Sequence, residues 1–142
     1  MAQTKPTTTT ATLRQMQIIH GALIVSIFLY VIVCWEVGAS HPQPMDRTLL
    51  TSLAIIAIGA IVAGFFLRSR WIGAAYETLR ARPDDPISLA LWRKGAVISA
   101  ALGESVALYG VVIYLTSGNA KQAAPFFVAG LFVMLMWWPK QP

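Results

Sequence analysis

LLTSLAIIAIGAIVAGFFLRSRWIGAAYETLRARPDDP, residues 49–86, decides the fold. Its first part, 49–67, carries no charge. A bilayer crossing needs about 20 mostly apolar residues, within a range of about 17–25, so 49–67 reads as a membrane-spanning helix. The pattern then changes without breaking. In RSRWIGAAYETLRAR (68–82), Ile72, Ala75, Tyr76 and Leu79 fall at i, i+3, i+4, i+7 while Arg68, Glu77 and Arg80 take other faces. That spacing predicts an amphipathic continuation of the helix. Pro83 ends it, because the residue before a proline avoids helical backbone. Asp85 and Pro86 read as a restart, with Asp85 as N-cap and Pro86 at the first helical position.

Working outward, three more segments approach the length of a span: residues 18–37, 95–115 and 123–138. Pro125 is expected in the first turn of the last of these, where proline is tolerated, and Pro139 stops it. Membrane-spanning backbone must satisfy itself, which leaves helices or closed barrels; these runs lack the alternation of barrel strands. The chain is therefore expected to be an all-α membrane protein. It would have four transmembrane helices, the second and third forming a long hairpin that extends into the cytoplasm. Composition agrees. Of 142 residues, 56% are hydrophobic and 12% charged, with a mean hydropathy of +0.62, against about 25% charged in soluble domains. Disordered, collagenous and disulfide-scaffold classes are excluded, and Cys34, the single cysteine, has no intrachain partner. Residues 12–142 are expected to form one domain behind a disordered threonine-rich tail, 1–11.

Basic residues orient the spans. Lys5, Arg14, Arg68, Arg70, Arg80, Arg82, Arg93, Lys94 and Lys140 fall on one side, and Arg47 and Lys121 on the other. Both termini and the middle connection are thus expected in the cytoplasm of a multi-pass cell-membrane protein. Trp71, Trp92, Trp137 and Trp138 would lie near the inner interface and Trp35 near the outer one. The net charge of +5 is accounted for by topology and anionic lipid rather than by nucleic acid, since the charges flank spans and line no groove. Val37-Gly38-Ala39 loosely fits a signal-peptidase site, but the apolar run before it exceeds the about 7–15 residues of a signal-peptide core.

At 1.5 Å per residue, the second and third helices would each be roughly 45–50 Å long and would overreach a hydrocarbon core of about 30 Å. The competing reading lays 68–82 flat on the membrane surface.

Glu104 lies near the centre of the third span. A charge there costs about 2.5–3.5 kcal/mol on insertion scales, and no Lys or Arg falls inside any span to compensate it. Beside it Ala96, Ala100, Gly103, Ala107 and Gly110 form a stripe of small residues; Ala57, Ala60 and Gly64 form a shorter one on the second span. Such stripes let membrane helices approach closely. Ser99, Ser105, Tyr109 and Tyr114 are hydroxyls on the same helix. Glu104 with Ser105 and Tyr109 is the candidate proton or cation site; a protonated Glu104 serving only as a packing hydrogen bond is the alternative. Glu36 reaches water at the end of the first span. His20 is expected as an interfacial or packing residue, and His41 lies in the outer loop. Opposite sides of the membrane keep the two histidines from pairing as haem ligands, and no clustered ligands suggest a metal or other cofactor. No phosphate-binding glycine loop, metalloprotease or nucleophile-elbow pattern occurs, so no enzyme is expected.

Arg93-Lys94-Gly95 followed by Ser99-Ala100-Ala101-Leu102-Gly103-Glu104-Ser105-Val106-Ala107-Leu108-Tyr109-Gly110-Val111-Val112 resembles the second helix of the proteolipid c subunit of rotary ATP synthases. The Arg82-Pro83-Asp84 tip resembles that family's polar loop. The resemblance covers about residues 73–116. It implies that Glu104 carries a proton or sodium ion, with nearby hydroxyls assisting, and that copies associate through small-residue faces. In place of the family's dense glycine run stand only Gly59, Gly64 and Gly73, and two further spans flank the hairpin. Expected partners are the lipid bilayer and either further copies of the chain or other membrane subunits. A non-catalytic accessory subunit is the alternative function, with Met134, Met136, Trp137 and Trp138 either a docking face or ordinary lipid anchors.

Overall fold

The computed structural model describes residues 8–38 and 43–141, and every regular element among them is helical. Helix α1 spans Thr8–Val37, α2 Arg47–Leu67, α3 Gly73–Ala81, α4 Pro86–Ser117 and α5 Ala120–Met136. A π-helical turn, Arg68–Ile72, joins α2 to α3, so that Arg47–Ala81 is one helical run of 35 residues. That run, α1 and α4 are long and apolar enough to cross a membrane; α5 is a shorter apolar helix.

Local chemistry sets most of the ends. The Asp85 carboxylate accepts the Ser88 N–H at 2.8 Å, and Pro86 opens α4. Gly118, at φ 63°, closes α4 in the left-handed conformation that glycine adopts without steric cost, its N–H donating to Tyr114 O at 2.7 Å. Asn119 then caps α5 by accepting from Lys121 N at 3.1 Å and Gln122 N at 3.4 Å. That cap starts α5 at Ala120, ahead of the expected 123. Pro125 therefore falls in the second turn rather than the first, and the Lys121 carbonyl loses its usual helical donor.

Two local expectations are corrected. Residues 8–11, read as part of a disordered tail, are helical; residues 1–7 of that tail lie outside the described residues, as do Ala39 and His41. Thr8 Oγ1 donates to Asp84 and Thr9 Oγ1 to the Pro83 carbonyl, so the start of α1 is ordered by docking on the turn between α3 and α4. The second correction is the π turn, in a segment read as plain α-helix. Gly73 N–H reaches back five residues to Arg68 O. The turn lies over Gly95 of α4, where an added Cβ would stand 3.0 Å from Ile72 and 3.3 Å from Trp71.

Helix α4 is the centre, packed against α1, α2, the π turn, α3 and α5. One cluster joins Leu13 and Met16 of α1 to Ile72, Ala75 and Leu79 and to Trp92 and Ala96 of α4. A second joins Ala57 of α2 to Val106 and Ile113 of α4 and Phe126 of α5. A third joins Ile27, Ala100, Ala107 and Met134. The apolar stripe of 68–82 thus faces α4. The connection after α1 is tied to the α4–α5 turn, with Gln43 N donating to Ser117 O at 2.8 Å and Met45 N to the Gln122 side-chain oxygen at 3.0 Å.

The small-residue stripe of α4 is wholly buried within the chain. Gly103 and Ala107 face Gly130 and Met134 of α5, and Gly110 faces Phe126. Gly64 of α2 receives the Trp137 indole so closely that a Cβ there would have no room beside the ring. Met134 and Trp137, expected as part of a docking face or as lipid anchors, are instead buried within the chain at 0% and 2% exposure, and Trp92 is likewise buried at 1%. Ile55, Ile58, Val62 and Phe66 of α2 are instead 60–64% exposed, a continuous apolar surface that a water-soluble monomer would not present.

Candidate functional site

Glu104, half-buried on α4, faces α1. Ser26 and Tyr30 stand one helical turn apart on α1 and so share a face. Ser26 Oγ donates to Glu104 Oε1 at 2.7 Å and the Tyr30 hydroxyl donates to the same oxygen at 2.8 Å. Among the described residues these two hydroxyls are its hydrogen-bond donors. Ser26 Oγ is also 2.8 Å from Leu23 O. Its one hydrogen therefore has two acceptors, the carboxylate and its own helix backbone. Among the described residues none donates to the second Glu104 oxygen.

The sequence placed the assisting hydroxyls on α4 itself, and the structure does not bring them to the acid. Ser105 Oγ donates to Leu102 O at 2.7 Å, while Tyr109 packs with the Val106–Phe126 cluster. Helical geometry is the reason. Positions i+1 and i+5 lie about 100° and 140° around the helix from Glu104, so neither shares its face. Of the three residues expected at the acid, Ser105 and Tyr109 are not brought to Glu104, whereas the small residues expected at a helix contact are buried against neighbouring helices. Ser26 and Tyr30 were legible as two hydroxyls at i, i+4 inside an apolar span, but nothing local says which helix they meet.

A second polar level lies toward the first turns of α4. His20, 2% exposed, sets Nε2 2.7 Å from the Met134 carbonyl. In α5 that carbonyl lacks its usual donor, because Trp138 N–H turns to Leu135 O at 3.4 Å. A helix leaves its last carbonyls unpaired; His20, carrying its proton on Nε2, caps this one. The Trp138 ring meets the imidazole edge-on at 5.4 Å. Gln17 donates to Pro139 O at 3.3 Å and Tyr76 to Lys140 O at 2.9 Å, so the chain after α5 is fastened to α1 and α3. Arg68, which the spacing sets off the apolar stripe, is half-buried. Its Nη1 donates to Ser99 Oγ at 3.3 Å and its guanidinium lies 5.8 Å from the Trp137 ring centroid. The π turn, by adding a residue to one turn, carries Arg68 inward while keeping Ile72 and Ala75 on α4.

Among the described residues no group of three or more His, Cys, Asp or Glu side chains is placed to hold a metal ion. Comparison with protein-family models, with curated proteins and with solved structures finds no match to this chain. The class that the fold defines is a small all-helical membrane protein.

Proposed function

We propose that this chain is a multi-pass cell-membrane protein that takes up and releases a proton at Glu104, in the seam between α1 and α4. The observation that carries the reading is the convergence of the Ser26 and Tyr30 hydroxyls on one oxygen of a mid-span acid. Two donors on Oε1 stabilise the carboxylate, and the second oxygen stays open to a proton. On protonation the Ser26 hydrogen has the Leu23 carbonyl to return to, so neither state leaves a buried hydroxyl without a partner. A proton suits this set better than sodium, because hydrogens rather than lone pairs of both hydroxyls point at the carboxylate.

The basic residues put both termini and the turn at 82–85 in the cytoplasm. In this arrangement α2, α3 and α4 form a hairpin overreaching the hydrocarbon core. The cytoplasmic projection and the likeness to a proteolipid hairpin belong to the same proposal. Association with further copies or other membrane subunits would use the exposed faces of α1 and α2, since the small-residue face of α4 is covered by α5. The test is infrared difference spectroscopy of the protein in vesicles. A protonated-carboxyl band is expected to appear as pH falls from about 9 to 4 and to be missing in Glu104→Gln of unchanged helix content. A band constant over that range overturns the proposal. That result would favour the second reading, an accessory subunit in which Glu104 is a permanently protonated hydrogen bond. The same seam favours this reading in one respect: one oxygen of the acid already has two hydrogen-bond donors within a single chain.

A further inference from the structure

We infer that the cleft between the early turns of α1 and α4 binds the phosphate headgroup of an anionic phospholipid, with one acyl chain lying along the apolar half of the cleft. The inference rests on the membrane reading and is independent of proton binding at Glu104. The cleft encloses about 400 Å³. Gln15 of α1 and Arg93 and Lys94 of α4 line one end, and Ile19, Val97 and Ile98 line the other. Three to five residues separate the two ends on α4, roughly 4.5–7.5 Å along the helix. Polar and apolar halves are thus stacked as a lipid's headgroup and first methylenes are. A second cleft of about 370 Å³ shares Gln15 and adds Arg14 and Ile18, so the positive rim continues around α1.

Among the described residues the charges have no counter-ion. No carboxylate lines either cleft, and among the described residues neither Arg93 nor Lys94 forms an ion pair. Lys94 has an aromatic neighbour instead, its Nζ lying 5.1 Å from the Trp71 ring centroid. The acids of the nearby turn are engaged elsewhere, Asp85 with Ser88 and Asp84 with Thr8. Arg93 and Lys94 immediately precede the uncharged run 95–103, at the edge of the hydrocarbon, where an uncompensated charge is costly. Basic pockets between membrane helices at this level suit anionic headgroups, and a guanidinium engages two phosphate oxygens at once. A zwitterionic lipid would bring its own ammonium against Arg93 and Lys94. Free phosphate would leave Ile19, Val97 and Ile98 unused.

The test is native mass spectrometry of the full chain released from detergent. Phosphatidylglycerol, phosphatidylcholine and inorganic phosphate are titrated separately. Phosphatidylglycerol is expected to bind more tightly than phosphatidylcholine. The paired substitution Arg93→Gln, Lys94→Gln is expected to lower that affinity by about thirtyfold, the worth of two basic residues at an anionic surface. Val97→Trp, which fills the apolar half and keeps both charges, provides a second variant; it too should weaken phosphatidylglycerol. Equal binding of the two lipids overturns the inference, as does a preference that survives both variants. Inorganic phosphate binding as tightly as the lipid also overturns it, since the acyl half would then contribute nothing.

Discussion

At the scale of single residues, the chemistry turns on what the Ser26 and Tyr30 hydroxyls are worth to Glu104. A hydrogen bond between neutral groups of membrane helices averages about 0.6 kcal/mol in double-mutant cycles, with a maximum near 1.7, whereas one to a charged group is worth about 1.5–3 kcal/mol. The Tyr30→Phe, Glu104→Ala cycle, in which each substitution removes the hydrogen bond, separates the two states of the acid. Measured by reversible unfolding in mixed micelles, the coupling energy is expected at about 1.5–3 kcal/mol at neutral pH, falling toward about 0.6 kcal/mol in acid. A small value unchanged by pH would mean an acid that stays protonated. His20 makes a different kind of contribution. His20→Ala removes the donor from a buried helix carbonyl, a loss of about 1–3 kcal/mol. It also removes the ring that Trp138 packs against. The expected signature is faster amide exchange confined to the last turn of α5.

At the scale of elements, the seam between α4 and α5 brings the two helix backbones into close contact. Lipid offers no hydrophobic drive for helices to associate, so close van der Waals contact has to hold them. A Cβ on Gly130 would stand 2.9 Å from both the Ala107 Cβ and its backbone nitrogen, and 3.2 Å from Gly103 O. Backbone cannot step aside as a flexible side chain can. Gly130→Ala is expected to cost about 1–3 kcal/mol or more, while Gly59→Ala, with nothing within 4 Å, is expected to be neutral or slightly stabilising through helix propensity. Equal thermal stabilities for the two variants would mean that α5 does not pack as described.

The turn at 82–85 makes its own prediction, because the hydrogen bonds from the Ser88 side chain and then its backbone N–H hold the Asp85 carboxyl below its ordinary value of 3.8. A lowered folded value means that the cap's contribution is present above the unfolded carboxylate range. It is lost as pH falls through the folded value. Unfolding curves of Asp85→Asn should therefore lack part of the acid-side loss of stability that the unaltered chain shows. These caps also mark what was legible. Asp85-Pro86 announces the start of α4 because capping is a matter of a few adjacent residues, and hydropathy announces the long apolar helices. The Asn119 cap, which starts α5 at Ala120, was missed. The π turn was not legible: RSRWI contains no proline and its one feature, Arg68 turning to Ser99, depends on a residue 31 positions away. The same holds for the site. Glu104 stood out by its own cost in an apolar run, while its donors come from 74 and 78 positions upstream.

At the scale of the whole molecule, the surfaces that remain decide how copies can associate. A ring of hairpins needs each copy to offer its neighbours two closely fitting faces. Here the face built for close approach, Ala96 through Gly110 on α4, is used up by α1 and α5. The part of α4 left outside carries Val97, Leu108, Val112 and Leu115, between 37% and 57% exposed. On α2 the outside carries Ile55, Ile58, Val62 and Phe66. Bulky branched side chains of this kind are as well solvated by acyl chains as by another helix, and give association little advantage over lipid. The mass of the protein in nanodiscs is therefore expected to be that of a monomer or a dimer. A closed ring of many copies would require α5 to swing away from Gly103 and Gly110. It would also require Trp137 to leave the Gly64 notch and His20 to lose the Met134 carbonyl. Observing such a ring would sink the intramolecular seam described here. A small assembly would leave Glu104 serving a single seam between α1 and α4, and any transfer of its proton would have to occur within one chain.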